Sequence, residues 1–268
     1  MDVFTDTPYF GNPVAVVLGA DGLTGEQMQR FARWTNLSET TFVLAPRASG
    51  ADYLVRIFTP TSELPFAGHP TLGTCHAWLE AGGRPADPGA VVQECAAGLI
   101  TVRRTGPGLA FAAPPLVRSG PVDESVAVQA ARSLNVPRPD IVDIAWADNG
   151  PGWVAVLLDS AEAVLKLRPG AVEMDIGVVG LYPDGSPEAL EVRAFSPQIT
   201  SVEDPVTGSL NASLGQWLLG SGRISAPYVA SQGTAMGRRG RVHVSRDADG
   251  QVWVGGGTVT CVTGSVEL

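Results

Sequence analysis

The stretch SVEDPVTGSLNASLGQWLL, residues 201–219, decides the fold. Its composition predicts a helix start built to hold something acidic. Asp204 stands where an N-cap would, with a carboxylate able to accept from the first free amides. Pro205 suits the first helical position, where no N–H is needed. Gly208 and Ser209 follow in the first turn, where a larger side chain would block close approach. Leu210, Leu214, Trp217 and Leu218 recur at i, i+4, i+7 and i+8, which predicts a wide apolar face. A helix start with a carboxylate, a glycine and a hydroxyl reads as a small-anion site. Taken alone, the segment also fits an ordinary capped core helix.

A second copy shifts that balance. Val55-Arg56-Ile57-Phe58-Thr59-Pro60 matches Val192-Arg193-Ala194-Phe195-Ser196-Pro197, 137 residues later. After the first copy come Gly68-His69-Pro70-Thr71-Leu72-Gly73, a helix with Trp78 and Leu79, and Gly82-Gly83. After the second come Asp204-Pro205-Val206-Thr207-Gly208, a helix with Trp217 and Leu218, then Gly220 and Gly222. A weaker match, Val14-Ala15-Val16-Val17-Leu18 against Val154-Ala155-Val156-Leu157-Leu158, is spaced by 140. A period near half the chain indicates a duplicated domain, because solenoid repeats are far shorter. The expectation is two helix starts facing each other across a cleft.

The chain has 268 residues, 44% hydrophobic and 17% charged, which are globular values. That length accommodates two domains of ordinary size, expected at 1–116 and 117–268, with the last strand free to return to the first half. A net charge of −9 lacks the basic face that nucleic-acid binding requires. It leaves room for a small anionic substrate, because local amides can bind what the overall field repels. Three cysteines, odd in number and widely spaced, do not make a disulfide framework. No basic and apolar leader precedes Asp2, and the longest apolar runs are strand-length. A cytoplasmic protein with no membrane partner is expected. Lys166 is the only lysine and follows no glycine-rich loop, which argues against a P-loop and a lysine Schiff base.

Taken in order, strands are expected at 2–5, 14–18, 40–44, 53–58, 91–95, 99–104 and 109–112. A capping-box helix opens at Thr24-Gly25-Glu26-Gln27 and ends near Asn36. The first matched helix is expected at 71–80, and a link between halves at 114–120. The second half reads as helices at 125–134 and 161–167, with strands at 140–145, 153–158, 175–179, 188–195, 241–244, 252–254 and 257–262. Many short strands around two central helices make an α+β pattern, not alternating βαβ.

For chemistry, His69 stands at one helix start, and Asp204 and Ser209 at the other. A metal reading through His69, Cys75 and His76 lacks any C-x-x-C or H-E-x-x-H spacing. Ser209 is not in G-x-S-x-G, and no cysteine occupies a helix start. Glu39 falls where a helix connects into a strand, a place where carboxylates are usually just solvated. Glu39, His69, Asp204 and Ser209, with the amides of two helix starts, suit proton transfer on a carboxylate-bearing molecule and need no cofactor. A carboxylate in a water-poor cleft is raised toward neutrality, so it can take a proton and return it.

The segments DTPYFGNPVAVV (6–17), NLSETTFV (36–43), RIFTPTSELPFAGHPTLG (56–73) and EDPVTGS (203–209) resemble the PhzF-like isomerases, relatives of diaminopimelate epimerase named for phenazine biosynthesis. The resemblance runs from residue 2 to about residue 240, including Gln232-Gly233 and Gly237-Arg238. It implies two pseudo-symmetric halves, each a β-barrel-like sheet wrapped around a central helix, with the site between them, and a homodimer. It places the family's catalytic glutamate on Glu39, its histidine on His69, and its aspartate and serine on Asp204 and Ser209. Gly68 and Gly208 then belong to the substrate-binding helix starts. The implied activity is a cofactor-independent proton shift on a small unsaturated or cyclic carboxylate, with no metal. The alternatives are a non-catalytic metabolite-binding protein and an epimerase on the same fold. Two-thiol racemisation is disfavoured, since neither helix start holds a cysteine.

Overall fold

The computed structural model describes residues 1–197 and 203–268. Residues 201 and 202, the opening of the stretch that decided the fold, lie outside the described residues. Two compact units divide the chain: Met1–Ala112 with Gly255–Leu268, and Ala113–Val254.

Unit 1 contains β1 (Asp2–Val3), β2 (Asn12–Val17), α1 (Gly25–Thr35), β3 (Glu39–Leu44), β4 (Tyr53–Phe58), β5 (Glu63–Leu64), α2 (Gly68–Glu80), β6 (Ala90–Cys95), β7 (Gly98–Thr105) and β8 (Gly108–Ala112). Unit 2 contains β9 (Arg118–Pro121), α3 (Glu124–Leu134), β10 (Asp143–Asp148), β11 (Val154–Leu157), α4 (Ala161–Lys166), β12 (Ile176–Leu181), β13 (Leu190–Phe195), β14 (Glu203–Asp204), α5 (Gly208–Gly220), β15 (Tyr228–Gln232) and β16 (Gly240–Arg246). The chain then leaves unit 2 along β17 (Val252–Gly256) and ends unit 1 with β18 (Thr258–Val259), which pairs with β1.

The two units repeat one ladder. In unit 1, β2 runs parallel to β3, β3 antiparallel to β4, β4 antiparallel to β5 and parallel to β6, and β6 antiparallel to β7. In unit 2, the same sequence of senses joins β11, β12, β13, β14, β15 and β16. The duplication read from the sequence is therefore a duplication of topology.

Each ladder surrounds a helix. α2 touches β1, β2, β3, β6, β8 and β18. α5 touches β10 and β16, its Leu210 lies on Gly177 of β12, and its Gly215 faces Tyr228, Val244 and Val252. Packing is close enough that a Cβ on Gly177 would fall 2.1 Å from a Leu210 methyl, so only glycine fits there. The second matched helix is consequently not amphipathic, although its leucine spacing predicts an apolar face. It is buried on nearly all sides, because a helix inside a sheet has no solvent face. The other face of the sheet carries a second layer. In unit 2 it packs Ala127, Leu134 and Val164 of α3 and α4 on Val154, Val156, Ile176 and Phe195. In unit 1 it packs Met28 and Ala32 of α1 on Phe42 and Phe58.

Other sequence expectations need correction. The 114–120 link contains β9, which pairs with β10. The strand expected at 2–5 stops at Val3, since Phe4 turns to φ 64°. α2 begins at Gly68, three residues before the expected start.

Candidate active site

The Glu39 side chain is placed by two local devices. Thr24 and Gln27 form the capping box that starts α1, and Asn36 ends it in the left-handed region at φ 55°. The chain then enters β3 at Glu39, opposite Val14 of β2. Side chains alternate along a strand, so Glu39 and Thr41 share a face. Thr41 accepts a 2.8 Å hydrogen bond from Thr74 of α2, which fixes that face toward the central helix.

His69 is the second residue of α2 and is buried. Its Nε2 lies 3.3 Å from Glu39 Oε2, with side chains 7% and 15% exposed. Its Nδ1 lies 3.4 Å from Asn12 Nδ2, and the Pro13 backbone lies beside the ring. Burial pushes the imidazole down to about 3, so His69 is neutral at physiological pH. A neutral ring has one N–H for several partners, so its tautomer is tied to the groups around it. No side chain caps the start of α2. Glu39, Gly68 and His69 are thus brought together within unit 1.

In unit 2, Asp204, Gly208 and Ser209 are also neighbours, but not as expected. Asp204 is not an N-cap and Pro205 does not open the helix. Asp204 is in β14, paired with Ala194, and the N-cap is Thr207. Strand pairing prevails because it satisfies the Asp204 backbone, leaving the carboxylate to accept from Thr207 Oγ1 at 2.5 Å. Gln232 of β15 braces this turn. Its Oε1 accepts from the Thr207 amide at 3.0 Å and from Asn211 Nδ2 at 2.8 Å. Its Nε2 donates to Thr207 Oγ1 at 2.9 Å. α5 then starts with no side-chain cap, like α2. Ser209 Oγ accepts from the Trp153 indole at 3.1 Å, and the Ser209 carbonyl from Asn149 Nδ2 at 2.9 Å.

Sequence reasoning did not assign Asn12, Pro13, Asn149, Trp153 or Thr207 to these sites. One signal was available. His69 and Ser209 are spaced by 140 residues, as are Val14 and Val154, and so are Pro13 and Trp153. The residue just before the matched Val14 or Val154 meets the second residue of the matched helix in both units.

The cysteines are elsewhere. Cys75 lies inside α2, where burial pushes its thiol up to about 12, and Cys95 is in β6. Among the described residues, no group of three or more His, Cys, Asp or Glu side chains is arranged to hold a metal. No helix among them is long and apolar enough to cross a membrane.

Each unit thus wraps its strand ladder around a central helix that starts without a side-chain cap, and unit 1 buries a Glu–His pair at that start. A family model described as phenazine biosynthesis-like protein, PhzC–PhzF, matches residues 1–264. Antisense-enhancing sequence 1 of Schizosaccharomyces pombe is 35% identical, over 98% of this chain and 96% of that protein. The trans-2,3-dihydro-3-hydroxyanthranilate isomerase of Pseudomonas fluorescens is 34% identical, over 100% of this chain and 98% of that protein. The crystal structure of the Bacillus anthracis phenazine biosynthesis protein of the PhzF family superposes with a TM-score of 0.80 at 26% identity, covering 95% of this chain and 93% of that one. The chain belongs to the phenazine biosynthesis-like, PhzF-type isomerase family.

Proposed function

We propose that the protein is a cofactor-independent isomerase that moves a proton on a small, cyclic, unsaturated carboxylate. The observation that carries this reading is the buried contact between Glu39 and His69 at the uncapped start of α2. Glu39 takes a proton from one carbon of the substrate and returns it to another, so no oxidant or reductant is consumed. His69, held neutral by burial, presents a ring nitrogen that can exchange a hydrogen bond with Glu39 in either protonation state. Asp204 completes the acid–base set. The Gly208 and Ser209 amides, with the Ser209 hydroxyl, bind the carboxylate, since an uncapped helix start favours an anion.

The substrate class is supported by the relative that acts as a trans-2,3-dihydro-3-hydroxyanthranilate isomerase. The test is to incubate that compound with the protein in D2O and follow isomer and deuterium by NMR. We expect isomerisation with solvent deuterium at the new C–H, lost in Glu39→Gln. Turnover that survives Glu39→Gln sinks the residue assignment; no turnover of this or related cyclic amino acids leaves a binding protein. Epimerisation by two thiols is not favoured, because His69 and Ser209 occupy the helix positions such thiols would need.

A further inference from the structure

We propose that Trp153 is a positioning residue that makes the Ser209 hydroxyl a hydrogen-bond donor to the substrate carboxylate. This rests on the reading of the α5 start as the carboxylate-binding site.

A serine hydroxyl has one hydrogen and two lone pairs, and the indole N–H can only donate. In the 3.1 Å contact between Trp153 Nε1 and Ser209 Oγ, the serine must therefore accept. Its own hydrogen is left for a different acceptor. The Ser209 hydroxyl and the first amides of α5 then all present hydrogens. Such a set selects an anion with two or more oxygens and rejects an ammonium group.

Trp153 is well placed to impose this. It is 4% exposed, and its carbonyl accepts from the Ala147 amide at 3.1 Å. The loop before it is closed by Asp148, whose Oδ1 accepts from the Gly150 and Gly152 amides, both at 2.7 Å. Gly150 and Gly152 have φ of 139° and 100°, a region that glycine adopts without strain. The same loop sends Asn149 to the Ser209 carbonyl. One short, internally bonded loop thus grips Ser209 at two atoms. Unit 1 repeats the placement with different chemistry, since Pro13 offers a carbonyl to the His69 ring.

The experiment titrates anthranilate, a ring carboxylate of the proposed class, into the wild type, Ser209→Ala, Trp153→Phe and the double variant. Trp153→Phe keeps an aromatic ring and removes the N–H. We expect each single change to weaken binding about ten- to a hundredfold, as for one hydrogen bond to a charged group, and the double change to add nothing. With trans-2,3-dihydro-3-hydroxyanthranilate as substrate, Trp153→Phe should raise KM with kcat nearly unchanged. Weakening by Ser209→Ala alone overturns the role of Trp153 and leaves the carboxylate site standing. No effect of Ser209→Ala, or no binding to the wild type, overturns both. Should Trp153→Phe fail to fold, the indole N–H resonance of Trp153 decides: it must shift in Ser209→Ala, and an unmoved resonance overturns the proposal.

Discussion

Arg193 and Glu203 form a forked pair, with Nε and Nη2 of the guanidinium 2.9 and 2.7 Å from the two carboxylate oxygens. The remaining Nη1 donates to the Val164 and Leu167 carbonyls at 3.2 and 3.0 Å, closing the end of α4. Arg56 and Glu63 repeat the fork in unit 1 at 2.7 and 2.7 Å. Each pair ties the short strand before a central helix to its neighbour.

The two forks should differ in weight. Arg193 and Glu203 are 5% and 14% exposed, Arg56 and Glu63 29% and 38%. Arg193→Leu leaves a buried carboxylate and two helix carbonyls without their cation, so we expect a loss of about 3–5 kcal/mol. Arg56→Leu should cost about 1 kcal/mol or less. Denaturant unfolding of both variants checks this, and equal losses would contradict it.

Glu39→Gln should lower turnover by about 10²–10⁴-fold, the usual worth of a general acid–base group. Stability should shift by no more than about 1 kcal/mol, because a neutral isostere removes a buried charge without leaving a void. Steady-state kinetics and a melting curve measured together separate this outcome from simple misfolding.

His69 makes the fold acid-sensitive. Burial lowers its folded-state value to about 3 from an ordinary 6.5, so the folded protein binds fewer protons than the unfolded chain. Stability is therefore full above about 6.5 and falls as pH drops toward 3. His69→Gln should flatten this slope, read as the change in unfolding free energy between pH 7 and pH 5. A variant as acid-sensitive as the wild type would count against a buried neutral ring.

Glu191 has the opposite sign. It is buried in β13, accepts from the Tyr182 hydroxyl at 2.8 Å, and burial raises its carboxyl. The folded protein holds this proton more tightly than the unfolded chain, so stability is lost as pH rises past the ordinary carboxylate range. Glu191→Gln should stabilise the protein at neutral pH and change little at acid pH. Thermal melts at the two pH values test it.

Much of this was legible in the sequence. The repeat announced the duplicated topology, the capping box and Asn36 bounded α1, and the Ser38-Glu39 step marked the entry to β3. What escaped reading was governed by pairing over distance. β5 and β14 are two residues long, too short to show any period, yet β14 moves the N-cap of α5 from Asp204 to Thr207. Arg118-Ser-Gly-Pro121 looks like a turn and pairs as β9 because β10 is there to receive it. β15 follows a run of glycine, serine and proline that obscures its boundary. The bond between Trp153 and Ser209 joins residues 56 apart, and only the 140-residue spacing hints at it.

The pairing of β18 with β1, Val259 opposite Asp2, sets an order of events during synthesis. Unit 1 includes β1 and lacks β18 until residue 259 has left the ribosome. Everything from Ala113 to Val254 is translated in between. At typical elongation rates that delay is on the order of ten to thirty seconds. During it, the nascent first unit holds α2 without β18, one of the strands that α2 touches in the finished fold. The unit that carries Glu39 and His69 is in this sense the last to be closed, although most of its residues precede those of the other unit.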